Sequence, residues 1–225
     1  MKPRRIILIR HGKSSGNASR KVYLDTPDYA VGLNDEGKQQ ALEAGRKISS
    51  IIGENAIVQW YVSPYWRTRQ TFYYLAKAFI NPPHQYYEDV RLREQEWQGK
   101  LPSEGFDQIA EMQRDNYSTF YYRFKGGESV ADVTDRVGNF MNTMHRDFDK
   151  IDFPDNCIVV THGMALRAFI MRWLHLSVEE FEGLKNPMNC EFFILERQPN
   201  GKYKLITEMG KREVKHKFKF EWPID

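Results

Sequence analysis

Short apolar runs alternate along the chain with longer segments in which apolar residues recur at helical spacing. The short runs predict β-strands at residues 6–9, 57–62, 157–161, 191–196 and 202–208. The longer segments predict helices at residues 33–52, 66–79, 130–148 and 165–174. Strands that alternate with amphipathic helices are typical of an α/β fold. We therefore expect a three-layer sandwich with a mainly parallel central sheet flanked by helices.

The ends of several elements are also marked in the sequence. Asn34 is placed to cap the helix predicted at residues 33–52, whose first turn is acidic. Ser129 and Asp132 fit a capping box at the start of the helix at 130–148, which has the clearest apolar stripe. Pro199-Asn200-Gly201 joins the last two predicted strands.

The pattern indicates one domain that includes a less regular segment. No stretch rich in Pro, Gly and Ser divides the chain, so we expect residues 1–225 to form a single domain. Residues 93–127 are rich in aromatic side chains without clear periodicity, and we interpret them as an irregular cap over the carboxyl ends of the strands. Lysines alternate with Val, His and Phe at 214–220, which predicts an edge strand with a basic outer face.

Composition excludes several classes of protein. Of the 225 residues, 41% are hydrophobic and 28% are charged, as in ordinary globular proteins. The net charge of +3 is small beside 33 basic and 30 acidic residues, so we expect neither a nucleic-acid partner nor a membrane partner. Only two cysteines occur and no apolar run is long enough to span a bilayer, so we expect a cytoplasmic protein with reduced thiols.

Three predicted strands end in basic side chains. Arg10-His11-Gly12 follows the first strand, and Thr161-His162-Gly163 ends the third. Ser63-Pro64 ends the second, with Arg67 three residues on, and Glu94 lies at the start of the irregular segment. Ligands of α/β sheets bind at the carboxyl ends of the strands. Taken alone, Arg10-His11-Gly12 fits a surface turn equally well, but the five residues together favour a site.

The chemistry of these residue types points to phosphoryl transfer. Guanidinium groups match phosphoryl oxygens and stay charged at any working pH. A neutral imidazole is a competent nucleophile toward phosphorus. A carboxylic acid can protonate the leaving oxygen and can then deprotonate water. We predict an anion site that needs no metal and no cofactor.

The motifs and their order resemble those of the histidine phosphatase superfamily, to which cofactor-dependent phosphoglycerate mutase also belongs. The details at residues 25–28 and 93–95 look similar to the phosphoglycerate-mutase-like proteins of plants and fungi. The resemblance runs from residue 6 to about residue 175. The matching segments lie at residues 9–17, 32–37, 63–71, 92–97, 126–129 with Arg136, and 160–163.

The resemblance implies a role for each matched residue. His11 would be the nucleophile that becomes phosphorylated, and Glu94 would be the proton donor, with Glu96 as the next candidate. Arg10, Arg67 and His162 would bind the phosphoryl group and stabilise its charge in the transition state. Asn17 would also contact phosphate or substrate. Apart from the resemblance, we expect Gly163 and Arg123 to bind the substrate.

The sequence also departs from the family pattern. Lys13 stands where Glu is usual, Met164 stands where the mutases carry Asn, and residues 121–125 lack the paired arginines of the mutases. We therefore predict a phosphatase that hydrolyses phosphomonoesters through a phosphohistidine on His11. A bisphosphoglycerate-dependent phosphoglycerate mutase is one alternative, and a catalytically silent binding or adaptor protein is another.

The predicted partner is a small phosphorylated metabolite, and we expect the protein to be a monomer or a homodimer. A basic, aromatic rim would favour a substrate with several anionic groups. That expectation loses support if the basic side chains point to water and the aromatic ones pack together. The basic residues are Lys13, Arg20, Lys21, Arg93, Lys100, Arg123 and Lys125, and the aromatic ones are Trp97, Phe106, Tyr121, Tyr122 and Phe124.

Overall fold

A computed structural model describes residues 2–81, 86–97 and 112–214 of the chain. Within these residues six strands form one sheet, in the order β3-β2-β4-β1-β5-β6. Strands β1 to β4 are parallel, whereas β5 and β6 are antiparallel to their neighbours. The prediction of a mainly parallel sheet is confirmed. The strands are β1 (Arg5–Arg10), β2 (Val58–Val62), β3 (Tyr87–Glu88), β4 (Asn156–Thr161), β5 (Phe192–Arg197) and β6 (Tyr203–Leu205).

Helices cover both faces of the sheet. They are α1 (Ser15–Ala18), α2 (Asp35–Ile52), α3 (Trp66–Ala76), α4 (112–117), α5 (Val130–Phe148), α6 (Gly163–Leu174) and α7 (Val178–Glu182), with short 3₁₀ helices at Arg20–Leu24, Asp28–Ala30 and Val90–Leu92. Side chains of β1 alternate between the two faces, as the pleat requires. Ile7 and Ile9 pack with the buried residues of α2 and α3. Ile6 and Leu8 pack with those of α5 and α6. The three-layer sandwich is confirmed.

The helix starts follow the polar signals in the sequence. Asn34 caps α2 by accepting a hydrogen bond from Gly37 N, at 2.8 Å. Ser129 and Asp132 form the predicted capping box of α5. Helix α6, predicted from about residue 165, begins at Gly163, because extended His162 is its N-cap. The predicted end of α3 at residue 79 was wrong, because the chain tightens after Ala76 into turns with i to i+3 hydrogen bonds.

The cap segment is tied to the sheet at its start. Thr161 Oγ1, at the end of β4, donates a hydrogen bond to Leu92 O at 2.7 Å. Farther along, Phe120 is buried against Phe181 of α7 and belongs to the same apolar cluster as Val130. The prediction that the cap is irregular was wrong at residues 112–117, which are helical.

Some predictions fall outside the described residues. These are the cap at 98–111, which includes Lys100 and Phe106, and positions 215–220 of the predicted edge strand. Among residues 2–81, 86–97 and 112–214, no helix combines the length and the apolar character that crossing a membrane requires.

Candidate active site

The carboxyl ends of β1, β2 and β4 are level with one another. Val62 of β2 pairs with Val160 of β4, and Arg10 of β1 pairs with Thr161 of β4. The residues that follow these strands are therefore brought to one edge of the sheet. The rings of His11 and His162 lie edge to face there, with their centroids 5.1 Å apart.

His11 is held in one tautomer by the backbone. Its Nδ1 lies 2.8 Å from Gly12 O, and a carbonyl oxygen can only accept, so Nδ1 carries the proton. Nε2 then carries the lone pair. The side chain is almost entirely buried, and this burial holds the pKa of His11 well below its ordinary value, with further lowering by Arg67 and Arg10. His11 is therefore a neutral imidazole with a basic nitrogen at neutral pH.

His162 is oriented by a residue that the sequence analysis did not single out for chemistry. Its Nε2 lies 2.8 Å from Ser63 Oγ, which follows β2. The ring of Tyr65 packs against it, with centroids 5.0 Å apart. His162 Nδ1 is buried and has no hydrogen-bond partner among the described residues. Burial, followed by Arg67 and His11, keeps the pKa of His162 well below its ordinary value.

Arg10 and Arg67 bring two guanidinium groups close to the histidines. Arg10 Nη1 donates to Pro187 O at 2.5 Å, while its buried Nε has no hydrogen-bond partner within the described part of the chain. Arg67 lies over the ring of Tyr65, 4.9 Å from its centroid. The Arg67 fork contacts the Asp28 carboxylate, with Nη1 to Oδ1 at 2.8 Å and Nη2 to Oδ2 at 3.2 Å. The family resemblance gave Asp28 no role.

Glu94 lies against the first turn of α6. Its Oε1 accepts hydrogen bonds from Met164 N at 3.2 Å and from Gln95 N at 3.0 Å. The amino end of α6 thus faces the carboxyl group with its N–H dipoles. Glu96, the alternative proton donor, lies on the side of Tyr65, where its charge raises the pKa of the phenol after the larger effects of burial and of Asp28.

Arg136 fixes the backbone around Glu94. It donates to the carbonyl oxygens of Arg91, Arg93 and Glu94, at 2.6, 2.9 and 3.0 Å. Its guanidinium also pairs with Glu128 through two hydrogen bonds of 3.0 Å. Arg136 matched a family segment, but only the structure shows that it binds the turn that carries the carboxyl group.

The three remaining predicted residues, Asn17, Gly163 and Arg123, differ in whether they are linked to the histidines by hydrogen bonds. Asn17 Oδ1 accepts from Asn189 Nδ2 at 3.1 Å, and the same amide nitrogen donates to His11 O at 3.1 Å. Gly163 packs tightly, since an added Cβ would lie 2.3 Å from Asn186 Oδ1. No hydrogen bond between described residues links Arg123 to either histidine.

Arg123 and two other predicted rim cations are paired with carboxylates. Arg123 pairs with Asp132 at 2.5 Å and borders an open surface cavity of about 640 Å³. The other two pairs join Lys13 to Glu36 at 2.7 Å and Arg93 to Glu128 at 2.6 Å.

The aromatic side chains of the predicted rim pack against one another. Trp97 packs against Phe124 with centroids 4.9 Å apart, and Tyr122 packs against Phe124 at 5.1 Å. Three of the predicted rim aromatics thus pack together, and three of the seven predicted rim cations are paired within the chain, which weakens the expectation of a strongly basic rim. Among the described residues, no group of three or more His, Cys, Asp or Glu side chains is placed to hold a metal ion.

Comparisons with known proteins agree with this architecture. The sequence model of the histidine phosphatase superfamily (branch 1) matches residues 6–207. A phosphoglycerate mutase-like protein from Arabidopsis thaliana, AT74H, is 39% identical, over 95% of this chain and 81% of its own length. The broad-range acid phosphatase DET1 of Saccharomyces cerevisiae is 25% identical, over 93% of this chain and 90% of its own length.

Solved structures share the fold at lower sequence identity. The structure of a mycobacterial glucosyl-3-phosphoglycerate phosphatase superposes with a TM-score of 0.71 at 19% identity. The superposition covers 93% of this chain and all of that one.

Proposed function

Because the chain belongs to the histidine phosphatase superfamily, we propose that it hydrolyses phosphomonoesters of small metabolites through a phosphohistidine formed on His11. One observation carries the proposal: His11 is buried and neutral, with Nδ1 bound to Gly12 O and the lone pair on Nε2. Beside it lie Arg10 Nε and His162 Nδ1, two buried polar atoms without a hydrogen-bond partner among the described residues. Both can donate to phosphoryl oxygens.

The first step forms a bond from His11 Nε2 to phosphorus and breaks the bond from phosphorus to the ester oxygen. The protonated Glu94 carboxyl gives its proton to the leaving oxygen, so the alcohol departs neutral. Attack leaves positive charge on the imidazole ring, and Gly12 O continues to accept the Nδ1 proton.

The second step returns the enzyme to its starting state. Water gives a proton to the Glu94 carboxylate as its oxygen attacks phosphorus, and the bond from phosphorus to Nε2 breaks. Inorganic phosphate leaves, and His11 is again a neutral base. Because His11 must be neutral to attack phosphorus, kcat/KM falls on the acid side as His11 takes up a proton.

Transition-state charge is stabilised by the groups around the histidines. Arg10 and Arg67 remain cationic throughout, and both are held by contacts outside the phosphoryl position. When the Ser63 hydroxyl donates to His162 Nε2, the proton of His162 is on Nδ1 and available to the phosphoryl group.

Hydrolysis is favoured over mutase activity by two observations. The yeast relative is named an acid phosphatase. The residue after His162-Gly163 is Met164, whose apolar side chain offers no amide with which to hold a phosphorylated acid for re-transfer. We therefore expect water to attack the phosphohistidine and release inorganic phosphate, rather than the phosphoryl group to be transferred back to an acid.

The test is the hydrolysis of an aryl phosphate by the wild type, His11→Ala and His145→Ala. His145 stacks on Trp173, with ring centroids 5.3 Å apart, and serves as the matched control histidine. We expect His11→Ala to lose at least about a thousandfold in kcat, and His145→Ala to keep nearly all activity. Mass spectrometry after rapid quenching should find one phosphoryl group on His11 of the wild type. Equal rates for wild type and His11→Ala would refute the proposal.

A further inference from the structure

The Arg67 guanidinium is only partly available to a phosphoryl group, because part of it is hydrogen-bonded to the Asp28 carboxylate. A guanidinium has five N–H donors, and Asp28 accepts three hydrogen bonds from them. Nη1 donates to Asp28 Oδ1 and to its backbone oxygen, and Nη2 donates to Oδ2. The Nε–H and the second Nη2–H are left for other acceptors. A phosphoryl group thus has access to one part of the fork and not to all of it.

The Asp28 carboxylate also places negative charge beside the histidine pair. Its charge raises the pKa of Tyr65 and of Tyr23, second only to burial in both cases. Tyr65 in turn packs against His162. Among the described residues, Asp28 therefore pairs with the Arg67 guanidinium and acts on two phenols, one of which, Tyr23, is also affected by Arg20. The Arg67 side chain is only 4% exposed, so little water lies on the Arg67 side of its ion pair with Asp28 to screen the two charges.

Three of the described rim cations are already neutralised by carboxylates other than Asp28. Lys13, Arg93 and Arg123 are each paired with a carboxylate. Among the described rim cations, these three are therefore balanced by carboxylates of the chain itself.

We propose that Asp28 is a specificity-determining residue, which restricts the substrate to a single phosphomonoester on an uncharged remainder. A second anionic group near the ester would lie beside the Asp28 carboxylate, whose own cation Arg67 is already engaged, and is disfavoured by Coulomb repulsion. This inference rests on the proposed phosphatase function. It replaces the expectation of a multi-anionic substrate that the basic residues of the rim suggested.

The test compares two aryl esters that differ in one charge: 4-carbamoylphenyl phosphate and 4-carboxyphenyl phosphate. We expect wild-type kcat/KM to favour the uncharged amide by about five- to tenfold, the effect of one uncompensated charge in a partly hydrated cleft. Asp28→Asn keeps the shape of the side chain and an oxygen that can accept from Arg67. The preference for the amide should fall to about twofold or less in this variant.

Asp35→Asn is the matched control, because it removes the same charge from a side chain that is 97% exposed and paired with Lys38. The preference for the amide should be unchanged there. An unchanged preference in Asp28→Asn, or an equal fall in Asp35→Asn, would overturn the proposal.

A binding measurement distinguishes the proposed role of Asp28 from the proposed phosphatase function. Calorimetry with the two corresponding arylphosphonates, which cannot be hydrolysed, gives a ratio of Kd values that does not depend on turnover. If the wild type hydrolyses neither ester but Asp28→Asn still narrows the Kd ratio, the phosphatase function fails and the role of Asp28 stands. If hydrolysis depends on His11 but neither ratio responds to Asp28→Asn, the phosphatase stands and the role of Asp28 is refuted.

Discussion

Replacing Arg136 by methionine should slow the hydrolysis of esters with poor leaving groups far more than that of activated esters. The Arg136 guanidinium holds the three carbonyl oxygens of the turn that positions Glu94, and its side chain is only 10% exposed. Without these hydrogen bonds the carboxyl group is no longer held against the amino end of α6. We therefore expect Arg136 to act as a positioning residue for Glu94, the proposed proton donor.

The size of the effect follows from the contacts that are lost. Arg136→Met removes three hydrogen bonds to the backbone and both hydrogen bonds to Glu128, which is itself largely buried. Glu128 keeps its ion pair with Arg93, so we expect the loss of folding stability to stay below the roughly 3–5 kcal/mol of an unpaired buried charge. General acid catalysis contributes about a hundredfold or more to the rate. We expect most of that factor to disappear for alkyl phosphates, and less than about a threefold loss for nitrophenyl phosphate, whose leaving group needs no proton.

The assay is a series of aryl and alkyl phosphates ordered by the pKa of the leaving alcohol, at a temperature where each variant is folded. Loss of the proton donor makes log kcat/KM fall more steeply with that pKa. Arg91→Met is the control, because the Arg91 guanidinium donates to Asp89, Asn139 and Thr143 rather than to the turn. A uniform loss across the series in Arg136→Met, with an unchanged slope, would refute the positioning role.

Two further predictions concern the histidine pair. The pKa values of His11 and His162 are lowered in the folded protein, so below about pH 6.5 the unfolded chain binds more protons than the folded one. The free energy of unfolding therefore decreases as the pH is lowered through this range, by up to about 1.4 kcal/mol per pH unit for each histidine. Urea unfolding of wild type and His11→Gln measures this, and an equal pH dependence in both would contradict it. Ser63→Ala, which removes the hydroxyl 2.8 Å from His162 Nε2, should lower kcat about tenfold with little change in KM. An unaltered kcat would show that Ser63 does not set the tautomer of His162.

The convergence of the predicted residues could be foreseen without coordinates. Parallel strands that alternate with helices place their carboxyl ends at one edge of the sheet. The sequence puts Arg10-His11 and His162 directly after two apolar runs, so the two histidines had to meet wherever those strands became neighbours. The structure makes β1 and β4 neighbours, in register from Arg5 to Arg10.

The contacts between side chains could not be foreseen in the same way. Ser63 and His162 are 99 residues apart, and Arg67 and Asp28 are 39 residues apart. Such pairs depend on where two loops stand relative to each other, which neither local propensity nor periodicity encodes. The sequence therefore suggested a basic rim, because it records which residues are charged but not which carboxylate each one meets.

The sequence by itself determined the layers of the fold, the edge at which ligands bind and the residue types gathered there. All three follow from the hydrophobic period and from the residues that end each strand. Only the tertiary structure decided which of the basic side chains are paired with carboxylates of the chain itself. In the folded protein Asp28 pairs with Arg67, and Lys13 pairs with Glu36. The sequence does not encode these pairings directly, because the strength of an electrostatic interaction depends on the distance between the charges and on their exposure to water.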